Sequence, residues 1–112
     1  MVRAILERAL QVRVEEFNDP LVALERLRKP PAPAAMLCDL RMPGMDGLTL
    51  IRAIRADGGS FPVFIVSAFA TTEMEVEAAE LGIRAFIEKP FQPSVLVDYV
   101  RGCLAEADRA DG

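Results

Sequence analysis

The chain contains no histidine and no tryptophan, a single tyrosine and only two cysteines. Without an imidazole there is no histidine general base, no Ser-His relay and none of the commonest metal-site chemistry. Two cysteines are too few for a disulfide framework, and Cys38 and Cys103 both fall on apolar stretches, as reduced core residues do in a reducing compartment. Positive charge is also scarce: 13 Lys and Arg stand against 17 Asp and Glu, a net charge of −4. Such a balance offers no basic surface to a phosphate backbone, so no nucleic-acid partner is expected. No run approaches the roughly 18 apolar residues of a membrane span. Met1-Val2-Arg3-Ala4-Ile5 lacks the apolar core of a secretory leader, and the expected setting is cytoplasmic.

What is present is a globular composition, 52% hydrophobic and 27% charged over 112 residues, enough for one domain (1–112) around one core. Val2, Ile5, Leu6, Ala9 and Leu10 recur at helical spacing, so the chain opens on a helix over 2–10. Val12-Arg13-Val14-Glu15 alternates as an edge strand would. Asp19 followed by Pro20 marks a helix start, with Leu21, Leu24 and Leu27 inward, and Lys29-Pro30-Pro31-Ala32-Pro33 stops it. Three short apolar runs read as buried parallel strands: 35–40, 62–68 and 83–89. Helices are expected between them over 48–56, closed by Asp57-Gly58-Gly59, and from Thr72, where Thr72 and Glu75 match a capping box, to Leu81 with Gly82 beyond. A last helix from Pro93 to about Ala107 carries Leu96, Tyr99, Val100, Cys103 and Leu104 on one stripe, and the tail 106–112 is expected to fray. Strands alternating with helices of about ten residues predict an α/β fold, a parallel sheet with helices on both faces. Functional residues of such sheets gather beyond the carboxyl ends of the strands. Asp39, Ser67 and Lys89 close the three apolar runs. A carboxylate, a hydroxyl and an ammonium there are what an acyl phosphate needs: a nucleophilic oxygen and two groups that stabilise phosphoryl oxygens.

Leu37-Cys38-Asp39-Leu40-Arg41-Met42-Pro43-Gly44-Met45-Asp46-Gly47, Val66-Ser67-Ala68 and Ala85-Phe86-Ile87-Glu88-Lys89-Pro90-Phe91 together resemble the receiver domains of two-component response regulators. The resemblance spans about residues 2–104. It implies a flavodoxin-like receiver fold with Asp39 as phosphoacceptor, Ser67 as the hydroxyl that turns toward the phosphoryl group and Ala68 as the small residue that leaves it room. Lys89 matches the family's lysine, before a Lys89–Pro90 bond that is cis in the family. Phe86 matches the aromatic switch residue that moves with Ser67, and the backbone carbonyl of Arg41 the one that binds metal. The implied donors are a histidine kinase or a histidine phosphotransfer protein. The chain departs from the family at its start. Receivers begin with a central strand ending in two acidic residues that help to hold Mg²⁺, whereas Met1 to Leu6 matches the middle of the first helix. The expectation is therefore a truncated stand-alone receiver missing its first, central strand, with a Mg²⁺ site reduced to Asp39 and the Arg41 carbonyl, weak or absent. Phosphorylation should then be impaired, and Asp39 should pair with Lys89 at rest. Either the 12–16 strand closes the gap beside the 36–39 strand, or a second copy does, with a homodimer preferred. The chain is expected to turn over no separate substrate, so it is not an enzyme in the usual sense. The alternative is a phosphorylation-independent pseudo-receiver, a homodimeric protein-interaction module.

Overall fold

A computed structural model describes residues 2–40, 46–68 and 70–111. Five helices and three strands follow in the order α1 (Val2–Leu10), α2 (Pro20–Leu27), β1 (Met36–Asp39), α3 (Gly47–Ala56), β2 (Val63–Ser67), α4 (Thr72–Glu80), β3 (Ala85–Glu88) and α5 (Pro93–Asp111). Packing divides the chain into two compact units, one formed by Met1–Glu16 with Pro90–Gly112 and the other by Phe17–Lys89.

The second unit holds the sheet. Its strands lie in the order β1-β2-β3, all parallel, with Asp39 opposite Val66 and Ser67 opposite Glu88. Side chains alternate across a strand, so Cys38, Val63 and Ile65 share one face, where they pack with Leu24 of α2, Leu50, Ile51 and Ile54 of α3 and Ala78 of α4. Phe64 and Val66 point the other way and are buried as well. A strand enclosed on both faces needs no polar alternation, which is why β2 reads as an unbroken apolar run. Arg55 ties the end of α3 to the following loops: its Nε donates to the Leu81 carbonyl at 2.9 Å and its Nη1 to those of Gly59 and Phe61 at 3.0 and 2.8 Å. Asp19 caps α2 by accepting from the Leu21 N–H at 2.9 Å, with Pro20 next in line.

In the first unit α1 packs against α5. No strand forms over 12–16, which corrects the edge-strand expectation. Gln11 leaves α1 with a left-handed φ of 53°, and the Val14 N–H donates to the Glu7 carboxylate at 3.2 Å rather than to a neighbouring strand. Four alternating residues do not make a strand without a partner ladder. Other local differences have simple causes. Leu21 and Tyr99 are exposed, since the apolar stripes of α2 and α5 are narrower than periodicity alone suggests. The cap of α4 is Thr71, whose hydroxyl accepts from the Met74 N–H at 3.2 Å. Thr72 is then the first helical residue, and the capping box with Glu75 does not form. Helix α5 is assigned to Asp111. Among the described residues the cis peptide bond is Pro30–Pro31, not Lys89–Pro90. No helix among them is long and apolar enough to cross a membrane.

Candidate functional site

Three consecutive parallel strands end on the same side of the second unit, and each ends in or next to a polar residue. Asp39 is the last residue of β1, Ser67 the last of β2, and Lys89 follows β3 directly. The in-register ladders set these ends side by side. The Lys89 N–H donates to the Ser67 carbonyl at 2.9 Å, extending the β2–β3 ladder by one bond. The ammonium of Lys89 reaches across to β1, where Nζ donates to Asp39 Oδ2 at 2.7 Å. The resting ion pair expected from the sequence is therefore present, and 50 residues of chain separate its members. Both side chains remain about two-fifths exposed (42% for Asp39, 40% for Lys89), so the pair faces solvent at the end of a sheet whose middle strand is buried.

Ser67 is different: it is 2% exposed. It lies on the sheet face of Ile65, and Ile65 stands opposite Phe86. Phe86 is thus a diagonal neighbour of Ser67 on that face, half-buried against the core. Ala68 follows Ser67 and is exposed. Arg41, with the rest of 41–45, lies outside the described residues.

Two residues quoted above only within the 37–47 run also have a local role. Asp46 caps α3, its carboxylate accepting from the Thr49 N–H at 2.8 Å. An acidic residue three before a polar N–H donor at a helix start is a readable N-cap signal. Gly47 opens α3 and donates its N–H to the Leu40 carbonyl at 3.0 Å, which ties the start of α3 to the residue after β1. Burial beside Asp39 and Asp46 pushes the Cys38 thiol up to about 12, desolvation being the larger cause, so it stays protonated beside the site.

Receivers take Mg²⁺ beside the acceptor aspartate, and the donors described here do not fit that cation. Among the described residues no three Asp, Glu or Cys side chains gather as ligands. The Asp39 carboxylate at the end of β1 is held by an ammonium at 2.7 Å, whereas Mg²⁺ needs near-octahedral oxygen coordination.

A parallel α/β sheet bearing a carboxylate, a hydroxyl and an ammonium at three adjacent strand ends defines a receiver-type fold. The chain belongs to the response regulator receiver domain family of two-component signalling, whose model matches residues 1–101. It is 36% identical to the DNA-binding transcriptional regulator NtrC of Escherichia coli, over 93% of this chain and 23% of that protein. It is 33% identical to the transcriptional regulatory protein FixJ of Bradyrhizobium diazoefficiens, over 67% of this chain and 37% of that one. The chain thus spans well under half the length of these curated relatives. A response regulator receiver domain protein from Methanospirillum hungatei has the same fold, with a TM-score of 0.84 at 24% identity over 97% of this chain and 86% of the other.

Proposed function

We propose that this chain accepts a phosphoryl group on Asp39 from the phosphohistidine of a histidine kinase or a histidine phosphotransfer protein, and does so slowly. The observation that carries this is the Lys89–Asp39 contact of 2.7 Å at the carboxyl end of the sheet. One Asp39 oxygen attacks phosphorus, the P–N bond to the donor imidazole breaks, and its electron pair stays on the ring nitrogen. The Lys89 ammonium lies where it neutralises charge on the phosphoryl oxygens as they form the acyl phosphate. The Ser67 hydroxyl then donates to one of those oxygens. Because Ser67 is buried, its turn toward the phosphoryl group opens space that the Phe86 ring can enter, which converts a charge change into a change of surface shape. Water attack on phosphorus returns the free carboxylate, so the chain turns over no substrate other than its own phosphoryl group. Slowness follows from the donor set: a single ammonium neutralises less charge than an ammonium with a divalent cation.

The same observation favours a second reading, a pseudo-receiver whose Asp39–Lys89 pair is a permanent structural element and whose output is contact with a partner protein. In both readings the setting is cytoplasmic and the chain pairs with a second copy, because among the described residues β1 has only β2 as a strand neighbour, the kind of main-chain edge that invites pairing. Intact mass after incubation with acetyl phosphate, with and without Mg²⁺, separates the readings. A gain of one phosphoryl group that is lost in Asp39→Ala supports acceptance. No gain under either condition supports the pseudo-receiver. Light scattering at micromolar concentration tests the pairing, and a monomeric mass contradicts it.

A further inference from the structure

We infer that Gly47 is a positioning residue for Asp39: its lack of a β-carbon lets the first turn of α3 sit against the main-chain carbonyl of Asp39 and so fixes where that carboxylate stands relative to Lys89. The inference rests on Asp39 being the acceptor.

Gly47 is buried at the start of α3. A β-carbon there would stand 2.7 Å from the Asp39 carbonyl oxygen, 3.0 Å from Cys38 Sγ and 3.1 Å from Leu40 Cα. Two of these three neighbours are backbone and cannot swing aside. The demand for glycine is one of approach, not of backbone conformation: Gly58 and Gly82 carry positive φ values of 91° and 73° with open space around them, whereas Gly47 has no left-handed φ.

Neither side of the contact is free to give way. On the helix side, the Gly47 N–H is bonded to the Leu40 carbonyl at 3.0 Å, and the Asp46 carboxylate fixes the first turn through Thr49. On the strand side, Asp39 is in register with Val66. The Cys38 thiol fills the remaining corner, with Sγ 3.5 Å from the Asp39 carbonyl oxygen and 4.0 Å from that of Gly47. A β-carbon at position 47 is therefore accommodated only by driving the end of β1 and the start of α3 apart. Ordinary carbon–oxygen contact begins at about 3.3 Å, so the shift is roughly 0.5–1 Å. It falls on the residue whose carboxylate must stay at hydrogen-bond distance from an ammonium on another strand. Misplacing a reacting group by about 1 Å costs on the order of 100-fold in rate.

The test compares Gly47→Ala, Cys38→Ala, the double variant and Gly102→Ala, the last placed in open space on α5. Two signals are read: the rate of phosphoryl gain from acetyl phosphate, and the ¹H–¹⁵N NMR signal of the Lys89 ammonium, which lies 42 residues away in sequence and is bonded to Asp39. Gly47→Ala is expected to lower the rate at least tenfold and to shift or broaden the Lys89 signal, and Gly102→Ala to change neither. The double variant keeps both defects relative to Cys38→Ala, because removing the thiol leaves the clash with the Asp39 carbonyl. An unchanged Lys89 signal in folded Gly47→Ala overturns the inference. So does recovery in the double variant, which would place the clash on the thiol. A double variant that fails to fold overturns it too, making Gly47 purely structural. If the wild-type chain gains no phosphoryl group, Asp39 is not the acceptor, and the Lys89 signal still decides whether Gly47 positions it.

Discussion

Replacing Lys89 by methionine keeps most of the side chain's length and removes its ammonium, and the structure assigns very different costs to the two consequences. The lost bond is short, 2.7 Å, but joins side chains that are 40% and 42% exposed. Exposed ion pairs contribute about 0.2–1 kcal/mol once screening and side-chain entropy are counted. The stability loss in Lys89→Met is therefore expected below about 1 kcal/mol, or a fall in Tm of at most roughly 4–8 °C. The loss should shrink with added salt, since the charges sit in solvent. The same ammonium is the described group best placed to meet phosphoryl oxygens, and removing one such preorganised donor costs about 100- to 1,000-fold in rate. Urea unfolding and single-turnover phosphorylation from acetyl phosphate, run on the same preparations, give both numbers. A stability loss above about 3 kcal/mol would mean the pair behaves as a buried one and the exposure argument fails. An unchanged rate would remove Lys89 from the transfer chemistry.

Other consequences are local. Ile65→Ala empties a fully buried site in the middle of β2 and should cost about 2–5 kcal/mol, read as a drop in urea midpoint with an unchanged slope. Thr71→Ala should cost about 1 kcal/mol by removing the cap of α4, whereas Thr72→Ala should cost only a few tenths; equal effects would put the cap at the wrong threonine. The Cys38 thiol, raised from its ordinary 9.0 to about 12, should react with thiol reagents in native protein only as the protein opens. Between those values the unfolded chain has lost this proton and the folded chain keeps it. Stability should therefore fall as pH rises from about 9 to 12, by about 1.4 kcal/mol per pH unit, and the slope should flatten in Cys38→Ala.

Where local chemistry decides structure, the sequence is easy to read. Val2 to Leu10 forms its helix with the bounds its periodicity implies, and Asp19-Pro20 starts α2. The three apolar runs become the three parallel strands, and the middle one, buried along its whole length, shows why such a run needs no alternation. Asp39, Ser67 and Lys89 could be read as strand-end residues, and their convergence follows once parallel strands are set in register. Val12 to Glu15 misled because alternation describes a strand's faces but not its neighbour, and strands exist only in pairs. The Asp39–Gly47 approach was hidden for a related reason. No pattern in one segment reveals that a helix start will leave a β-carbon only 2.7 Å from a strand carbonyl; only the folded geometry brings the two together.

The central claim is that Asp39 carries the phosphoryl group. Borohydride reduction of acetyl-phosphate-treated protein, followed by peptide mass mapping, tests it most directly, because reduction converts an aspartyl phosphate to homoserine and leaves a free aspartate untouched. The account predicts homoserine at position 39, absent when the donor is withheld. Homoserine at another aspartate, or none after prolonged incubation with Mg²⁺, would contradict it.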